Sequence, residues 1–454
     1  MLDEIISERK RKLKNLEEAG FYPYPESVKR THSIKELLDD FESLSQGNKE
    51  IFACGRITGM RGQGSIVFYD IEDESGKIQG VLKEDNLPDY FNLFSANLDI
   101  GDFIEAGGTV FETKRGEKSI EIKSLRPIAK SLRAAPTKWY GLEDTETRLR
   151  QRYLDSLLRP EVKELFRKKN IFWKTFRDFL SKKGFLEVET SVLEATPGGA
   201  EAEPFKTHHN ALDTDFYLRI SLEIALKKMM VGGFEKIFEI GRIFRNEGID
   251  AEHLQDYTEL EFYWAYADYK NLMKLVEKMY KAAIKNVSGG LKTEWRGQEI
   301  DWSKKWPKVD YFKIFKEKTG IDLKKATDEA LYEKAIDEGL RPEEFAGRGR
   351  LIDMLFKKAR IEMIQPCILL DPPVEVEPLA KRKANDSKKV CRFQVVACGT
   401  ELGKGFSEAN DPIDQRERFL NQMKLREKGD KEAQMLDEDF LEALEYGAPP
   451  MAGV

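Results

Sequence analysis

Cysteine is scarce in this chain, with four residues among 454. Cys54, Cys367, Cys391 and Cys398 form no CxxC pair, and no His/Cys spacing matches a zinc site. A zinc module is therefore not expected, and structural thiols in a reducing cytosol are. No apolar run is long enough to span a membrane. The N-terminus is charged from Asp3 onward and does not read as a signal peptide. Cytoplasmic location is the resulting expectation. Neither sign of charge is in large surplus: 34% of residues are charged, yet the formal net charge is −6. A nucleic-acid partner would have to use local basic patches. Internal repeats are also lacking. What is present is length, enough for more than one domain and a large core.

Residues 1–19 carry Leu2, Ile5, Ile6, Leu13 and Leu16 at helical spacing, which predicts an amphipathic helix. The run from Glu8 to Lys14 gives it a basic face. That face is either solvated or tracks phosphates. From Ile51 the pattern changes to short strands at Ile51–Ile57, Ser65–Ile71, Lys77–Leu82, Phe103–Phe111 and Lys118–Ile122. Five such strands predict an OB barrel, which stacks single-stranded bases on exposed aromatics. Phe68 and Tyr69 are adjacent, so only one can face outward.

Residues 1–133 are thus expected to be an N-terminal helix and barrel, 134–150 a linker, and 151–454 a second domain. Val162–Lys183 reads as a helix ending at Gly184. Strands and helices beyond it mix without strict βαβ alternation, which predicts a mostly antiparallel sheet. Residues 268–365, rich in Lys and Glu, read as inserted, peripheral helices. The expected class is α+β with an all-β N-terminal domain.

The most informative stretch runs from Phe238 to Trp264. It reads as two strands joined by a polar loop. Alternation puts Arg245 and Glu247 on one face of the first strand. Glu259, Glu261 and Tyr263 share a face of the second, with Leu260, Phe262 and Trp264 opposite. A face with both signs of charge needs paired neighbours or a ligand carrying both, such as a triphosphate and an amine.

The run Phe244-Arg245-Asn246-Glu247 resembles motif 2 of class II aminoacyl-tRNA synthetases. Further segments narrow the likeness to lysyl-tRNA synthetases: 184–190, 207–213, 373–381, 405–412 and 443–447. The resemblance runs in order through almost the whole chain. It implies an OB-fold anticodon-binding domain followed by a class II catalytic domain, working as a homodimer on ATP, L-lysine and tRNA(Lys).

The resemblance also implies roles. Arg245 would bridge the substrate carboxylate and the α-phosphate; its alternative is a structural salt bridge. Glu247 would meet the adenine amino group, Tyr257 would stack on the ring, and His253 and Asp256 would complete the ATP site. Glu223 would take the α-amino group, while Glu261, Tyr263 and Glu408 would form the ε-ammonium pocket. Glu401 would hold Mg²⁺, with Glu408 as a second ligand, because the family's usual companion falls at Gln394. On the barrel, Phe68 would stack a base, helped by Arg61 and Gln79; a core role is the alternative for Phe68. The stretch Gly399–Gly405 is not a P-loop, because its spacing is one short and no Ser/Thr follows Lys404.

Three departures stand out. Ser191 replaces a motif 1 proline, Lys404 replaces an asparagine, and Ser221-Leu222 replaces Ala-Pro. The phrase Pro449–Val454 leads, in the family, into motif 3 and its γ-phosphate arginine. The expectation is therefore weak lysine activation by these residues alone, with an unpaired sheet edge. Three rivals follow: a non-catalytic RNA-binding pseudo-synthetase, an aspartyl- or asparaginyl-type enzyme, and an enzyme that lysylates an elongation factor. Residues 51–124 argue against the last, and Glu223, Glu261 and Glu408 against the second.

Overall fold

The computed structural model describes residues 2–134, 143–248, 254–343 and 346–454. They fall into two compact units, 1–163 and 164–454.

In the first unit, helix α1 (Leu2–Glu18) precedes a closed barrel of five strands. These are β1 (Ile51–Gln63), β2 (Ile66–Glu72), β3 (Lys77–Lys83), β4 (Phe103–Glu112) and β5 (Lys118–Ala129). Their order is β1-β2-β3-β5-β4, with β3 and β5 parallel. Val67, Tyr69 and Ile71 of β2 point into the core, and the residues between them face outward. This is the period-two pattern of a strand buried on one face. The basic face of α1 is partly structural. Arg9 is buried and donates to the carbonyls of Ser131 and Ile100, and Lys12 pairs with Asp99 at 2.7 Å.

Helix α2 (Pro160–Lys182) runs across the boundary between the units. It ends as the sequence predicts. Gly184 adopts φ +80°, its N–H donates to Ser181, and the Phe185 N–H donates to Leu180. That pair of bonds is a Schellman cap, which needs a left-handed residue at Gly184.

The second unit is built on an eight-stranded sheet. Its strands are β6 (Leu186–Glu187), β7 (Lys236–Phe244), β8 (Asp256–Ala265), β9 (Lys308–Asp310), β10 (Cys367–Leu370), β11 (Arg392–Ala397), β12 (Thr400–Ser407) and β13 (Met451–Gly453). The order is β9-β10-β11-β12-β13-β8-β7-β6, antiparallel except for the pair at each edge. Strand β13 hydrogen-bonds on both sides, to β8 and to β12. The expected unpaired edge is therefore not at that position. Helix α3 (Glu223–Val231) covers one face near β7 and β8.

The segment 268–365 differs from the peripheral insertion read in the sequence. Helix α4 (Tyr269–Ser288) buries Leu272, Met273, Val276 and Met279 against Phe262, Phe393 and Val395 of the sheet. Strand β9 is an edge strand of that sheet, and helices at 311–319, 328–337 and 348–359 enclose a core with Leu369 and Val396. The Lys/Glu content hid this because long charged side chains occupy only the outer helical faces, while the inner stripe is apolar.

Candidate active site

The register of β7 and β8 sets the site. Glu239 lies opposite Glu261, Gly241 opposite Glu259, and Ile243 opposite Tyr257. Directly paired residues share a face, so Glu259, Glu261 and Tyr263 line one side, as expected, and Tyr257 joins them. Leu260, Phe262 and Trp264 pack into the core on the other.

Glu261 is nearly fully buried and its carboxylate is held at both oxygens. Ser221 Oγ and the Leu222 N–H donate to Oε1 at 2.7 and 3.0 Å, and Tyr263 Oη donates to Oε2 at 2.8 Å. The Ser221 hydroxyl thus fixes a pocket carboxylate. Burial, reinforced by the Glu259 carboxylate, pushes the Glu261 carboxyl up to about 8. Burial, with Glu261 next, also raises the Tyr263 phenol far above its ordinary value.

Glu223 opens helix α3, and Glu408 follows β12. The ammonium of Lys227 lies between them, 2.5 Å from Glu223 Oε1 and 2.5 Å from Glu408 Oε2. All three side chains are buried. Phe406 and Phe440 flank the ammonium at 5.3 and 6.0 Å. Neither Glu408 oxygen has a hydrogen-bond partner, and Oε2 has only the Lys227 ion pair. Burial raises the carboxyls of Glu223 and Glu408, against the opposing pull of Lys227.

Two glycines let the backbone close on this cluster. A Cβ at Gly453 would lie 2.3 Å from Tyr263 Cε1 and 2.6 Å from Glu408 Oε1. Gly199 has φ +87°, and a Cβ there would lie 2.9 Å from Glu223 Cβ. Neither place admits a side chain.

Arg245 stands just beyond the end of β7, not within it. Its N–H still donates to Gln255, which extends the ladder by one bond. The guanidinium lies over the Tyr257 ring at 5.4 Å, donates through Nε to the Ile220 carbonyl, and reaches Glu259 at 3.8 Å. The carboxylate contact is at the long end of the ion-pair range, unlike the buried Arg219–Glu239 pair at 2.7 Å. Glu247 also lies past the strand, so alternation does not put it on a strand face with Arg245.

In the barrel, Arg61 is opposite Phe68, and Asp70 is opposite Gln79. The register therefore brings Arg61, Phe68 and Gln79 to one face of three adjacent strands. Tyr69 is buried in the barrel and Phe68 is half-exposed on this face. Asp70 pairs with Arg61 at 3.6 Å and Lys77 at 2.9 Å, and Ser119 donates to Gln79.

Comparisons with known proteins agree with this geometry. Residues 144–454 match the family described as tRNA synthetases class II (D, K and N), and residues 52–128 match the OB-fold nucleic acid binding domain. The chain belongs to the class II tRNA synthetases. Among its relatives is a lysine–tRNA ligase from Roseiflexus castenholzii, 45% identical over the whole chain and 94% of that protein. Lysine–tRNA ligases from Carboxydothermus hydrogenoformans and Pelotomaculum thermopropionicum are 45% and 43% identical, again over the whole chain and over 93% and 90% of their own lengths. Within the class, the chain falls in the lysine–tRNA ligase family.

Some expected residues of this synthetase do not converge. Asp256 sits on the opposite face of β8 from Tyr257 and Glu259, in an exposed ion pair with Arg242. Alternation decides this: Asp256 is one position out of phase with the site face. His253 lies outside the described residues. Glu401 and Glu408 do not form one ion's ligand pair. They are seven positions apart along β12 and its end, roughly 20 Å at strand rise, whereas a Mg²⁺ ligand lies about 2 Å from its ion. Glu401 instead accepts from the Gln394 amide, with Arg360 at 3.9 Å. Among the described residues no group of three His, Cys, Asp or Glu side chains converges for a metal.

Sequence reasoning missed Lys227, although its spacing of four from Glu223 on a helix was a signal for an ion pair. It also missed Glu377, the buried carboxylate that holds Lys404 at 2.7 Å and Arg392 at 3.4 Å. That pairing neutralises Lys404, which replaces the family's asparagine.

Proposed function

We propose that this chain activates L-lysine with ATP and transfers it to tRNA(Lys). The buried carboxylate set of Glu223, Glu261 and Glu408 with Tyr263 carries the reading. An ammonium ion loses its hydration in such a pocket, and only carboxylates replace it well. An anionic side chain would meet like charge there.

In the first step a lysine carboxylate oxygen attacks the α-phosphorus. The bond to the β,γ-phosphates breaks, and pyrophosphate leaves. No general base is required, because the nucleophile is already ionised. Arg245 would hold the carboxylate and α-phosphate in line and neutralise charge on the phosphorus oxygens. Glu247 and Tyr257 would receive the adenine. In the second step a terminal hydroxyl of tRNA attacks the lysyl carbonyl and AMP leaves. Phe68, Arg61 and Gln79 would read the anticodon.

Mg²⁺ takes one or two carboxylates together with phosphate oxygens. Glu401 beside Gln394 suits one carboxylate ligand for an ion carried in by ATP, which would neutralise phosphate charge. A homodimer is part of the proposal, and so is a cytoplasmic setting with the tRNA. Leu165 and Phe166, each more than half exposed on α2, are apolar surface suited to a partner subunit.

ATP–pyrophosphate exchange with lysine, aspartate and asparagine, followed by tRNA charging, tests the reading. Exchange driven by lysine alone is expected. Equal exchange with aspartate would overturn the substrate, and none with any amino acid would leave only RNA binding.

A further inference from the structure

Lys227 is the one cation in direct contact with two of the pocket glutamates among the described residues. It cannot be a surface charge: its side chain is 1% exposed. It cannot be a simple helix ion pair either, because its second partner, Glu408, comes from beyond β12. Its position is over-determined, with Glu223 one turn away, Glu408 across the cluster and two phenyl rings beside it.

The charge count then matters. Glu223, Glu261 and Glu408 could bring three negative charges to one buried volume, and Lys227 brings one positive charge. Two positive charges are missing. Free lysine carries two ammonium groups. Neither buried oxygen of Glu408 has a hydrogen-bond partner, and only Oε2 has an ion pair, so this carboxylate has capacity left for one of them.

We infer that Lys227 is a specificity-determining, positioning residue: its fixed ammonium bridges Glu223 and Glu408 and leaves the carboxylate set short of the positive charge that the two ammonium groups of lysine supply, the lysine carboxylate being held apart by Arg245. This rests on the proposed lysine reading of the same pocket. Other groups act on the same carboxylates. Glu259, Glu261 and Tyr263 face them from β8 and Glu377 from the segment before β11, while Lys404 of β12 is held by Glu377. None of these touches both Glu223 and Glu408.

Binding of two ammonium groups should then drive protons off carboxyls that hold them in the empty pocket, a direction the raised Glu223 and Glu261 carboxyls support. The test uses the full chain and two measurements. The first is calorimetry of lysine binding to the unmodified protein near pH 7, in buffers of different ionisation enthalpy. Net proton release is expected, and no release between pH 6 and 8 would overturn the inference. The second compares Lys227→Met and Lys227→Arg across pH. Removing a cation in contact with a carboxylate raises its pKa by about one unit or more. Lys227→Met should therefore move the alkaline rise of lysine affinity up by about one pH unit, with the KM for ATP changed less than about twofold. Lys227→Arg should restore the profile. Equal loss for lysine and ATP at every pH would show a merely structural role. If the unmodified chain exchanges no lysine, the functional reading itself fails; if it does and the profile stays put, only the Lys227 inference fails.

Discussion

Tyr263 donates its phenolic hydrogen to Glu261 Oε2 across 2.8 Å, two positions along the same strand. The pair shares a face because strand periodicity is two, and it is buried because α3 covers that face. The bond keeps one oxygen of Glu261 in place while Ser221 and the Leu222 N–H hold the other. A carboxylate held at both oxygens is a rigid reference point, whereas Glu408 has no hydrogen bond at either oxygen and only the Lys227 ion pair at Oε2.

That contrast predicts the effect of Glu408→Gln. Lysine affinity should fall by about 2–5 kcal/mol, the cost of leaving a buried charged partner unpaired. Calorimetry of lysine binding checks it, with aspartate still failing to bind. An unchanged lysine affinity would remove Glu408 from the pocket.

Arg245→Ala should lower the exchange rate by on the order of 10²–10³ if the guanidinium meets charge that develops at the α-phosphate. Arg245→Lys should recover little, because an ammonium lacks the planar fork that engages two oxygens. Steady-state exchange kinetics separate the effect on kcat from that on KM. A large loss in lysine binding with kcat intact would assign Arg245 to substrate capture alone.

Stability should depend on pH with a definite sign. The folded-state carboxyls of Glu223 and Glu261 are raised to about 7 and about 8. The unfolded chain has released those protons by about pH 5, given ordinary carboxyls. The native state therefore binds more protons, and stability falls as pH rises through 7 to 8. Thermal melting without substrate should show a lower Tm at pH 8.5 than at pH 6.5. Saturating lysine should raise Tm more at the higher pH. A ligand-free Tm that rises over this range would contradict the assignment.

Gly453→Ala would place a methyl group within 2.6 Å of both the Tyr263 ring and Glu408. Forcing an extra methyl into a closed site costs about 1–3 kcal/mol. The loss should appear in Tm and in a raised lysine KM together, because the atoms displaced belong to the pocket. Lost stability with an unchanged KM would mean that the backbone, not the pocket, absorbs the methyl.

Phe68→Ala in the full chain should weaken binding of a lysine-anticodon stem-loop by about 1–3 kcal/mol, the worth of one stacked base. Lysine-dependent exchange should be unaffected. Fluorescence anisotropy reads the affinity; an unchanged value in a folded protein would make Phe68 a bystander.

Local rules acting on the sequence already determined a good deal here. Alternation located the strands of the barrel, allowed only one of Phe68 and Tyr69 to face outward, and put Glu259, Glu261 and Tyr263 on one face; the burial of Tyr69 decided which of the two rings is outside. A left-handed glycine ended α2 at the expected turn. Those features depend on neighbours a few positions apart, and the chain's own periodicity reports them. The pocket depended on contacts that periodicity does not carry. Lys227 meets Glu408 only because α3 packs over the end of β12, 181 positions later in the chain. Lys404 is neutralised only where the fold brings Glu377 beside it. Asp256 leaves the site because its strand begins one residue out of phase with the site face. The burial of α4 likewise rests on the sheet beneath it. Each is a long-range packing outcome, and a buried charge takes its role from whichever partner the fold delivers to it.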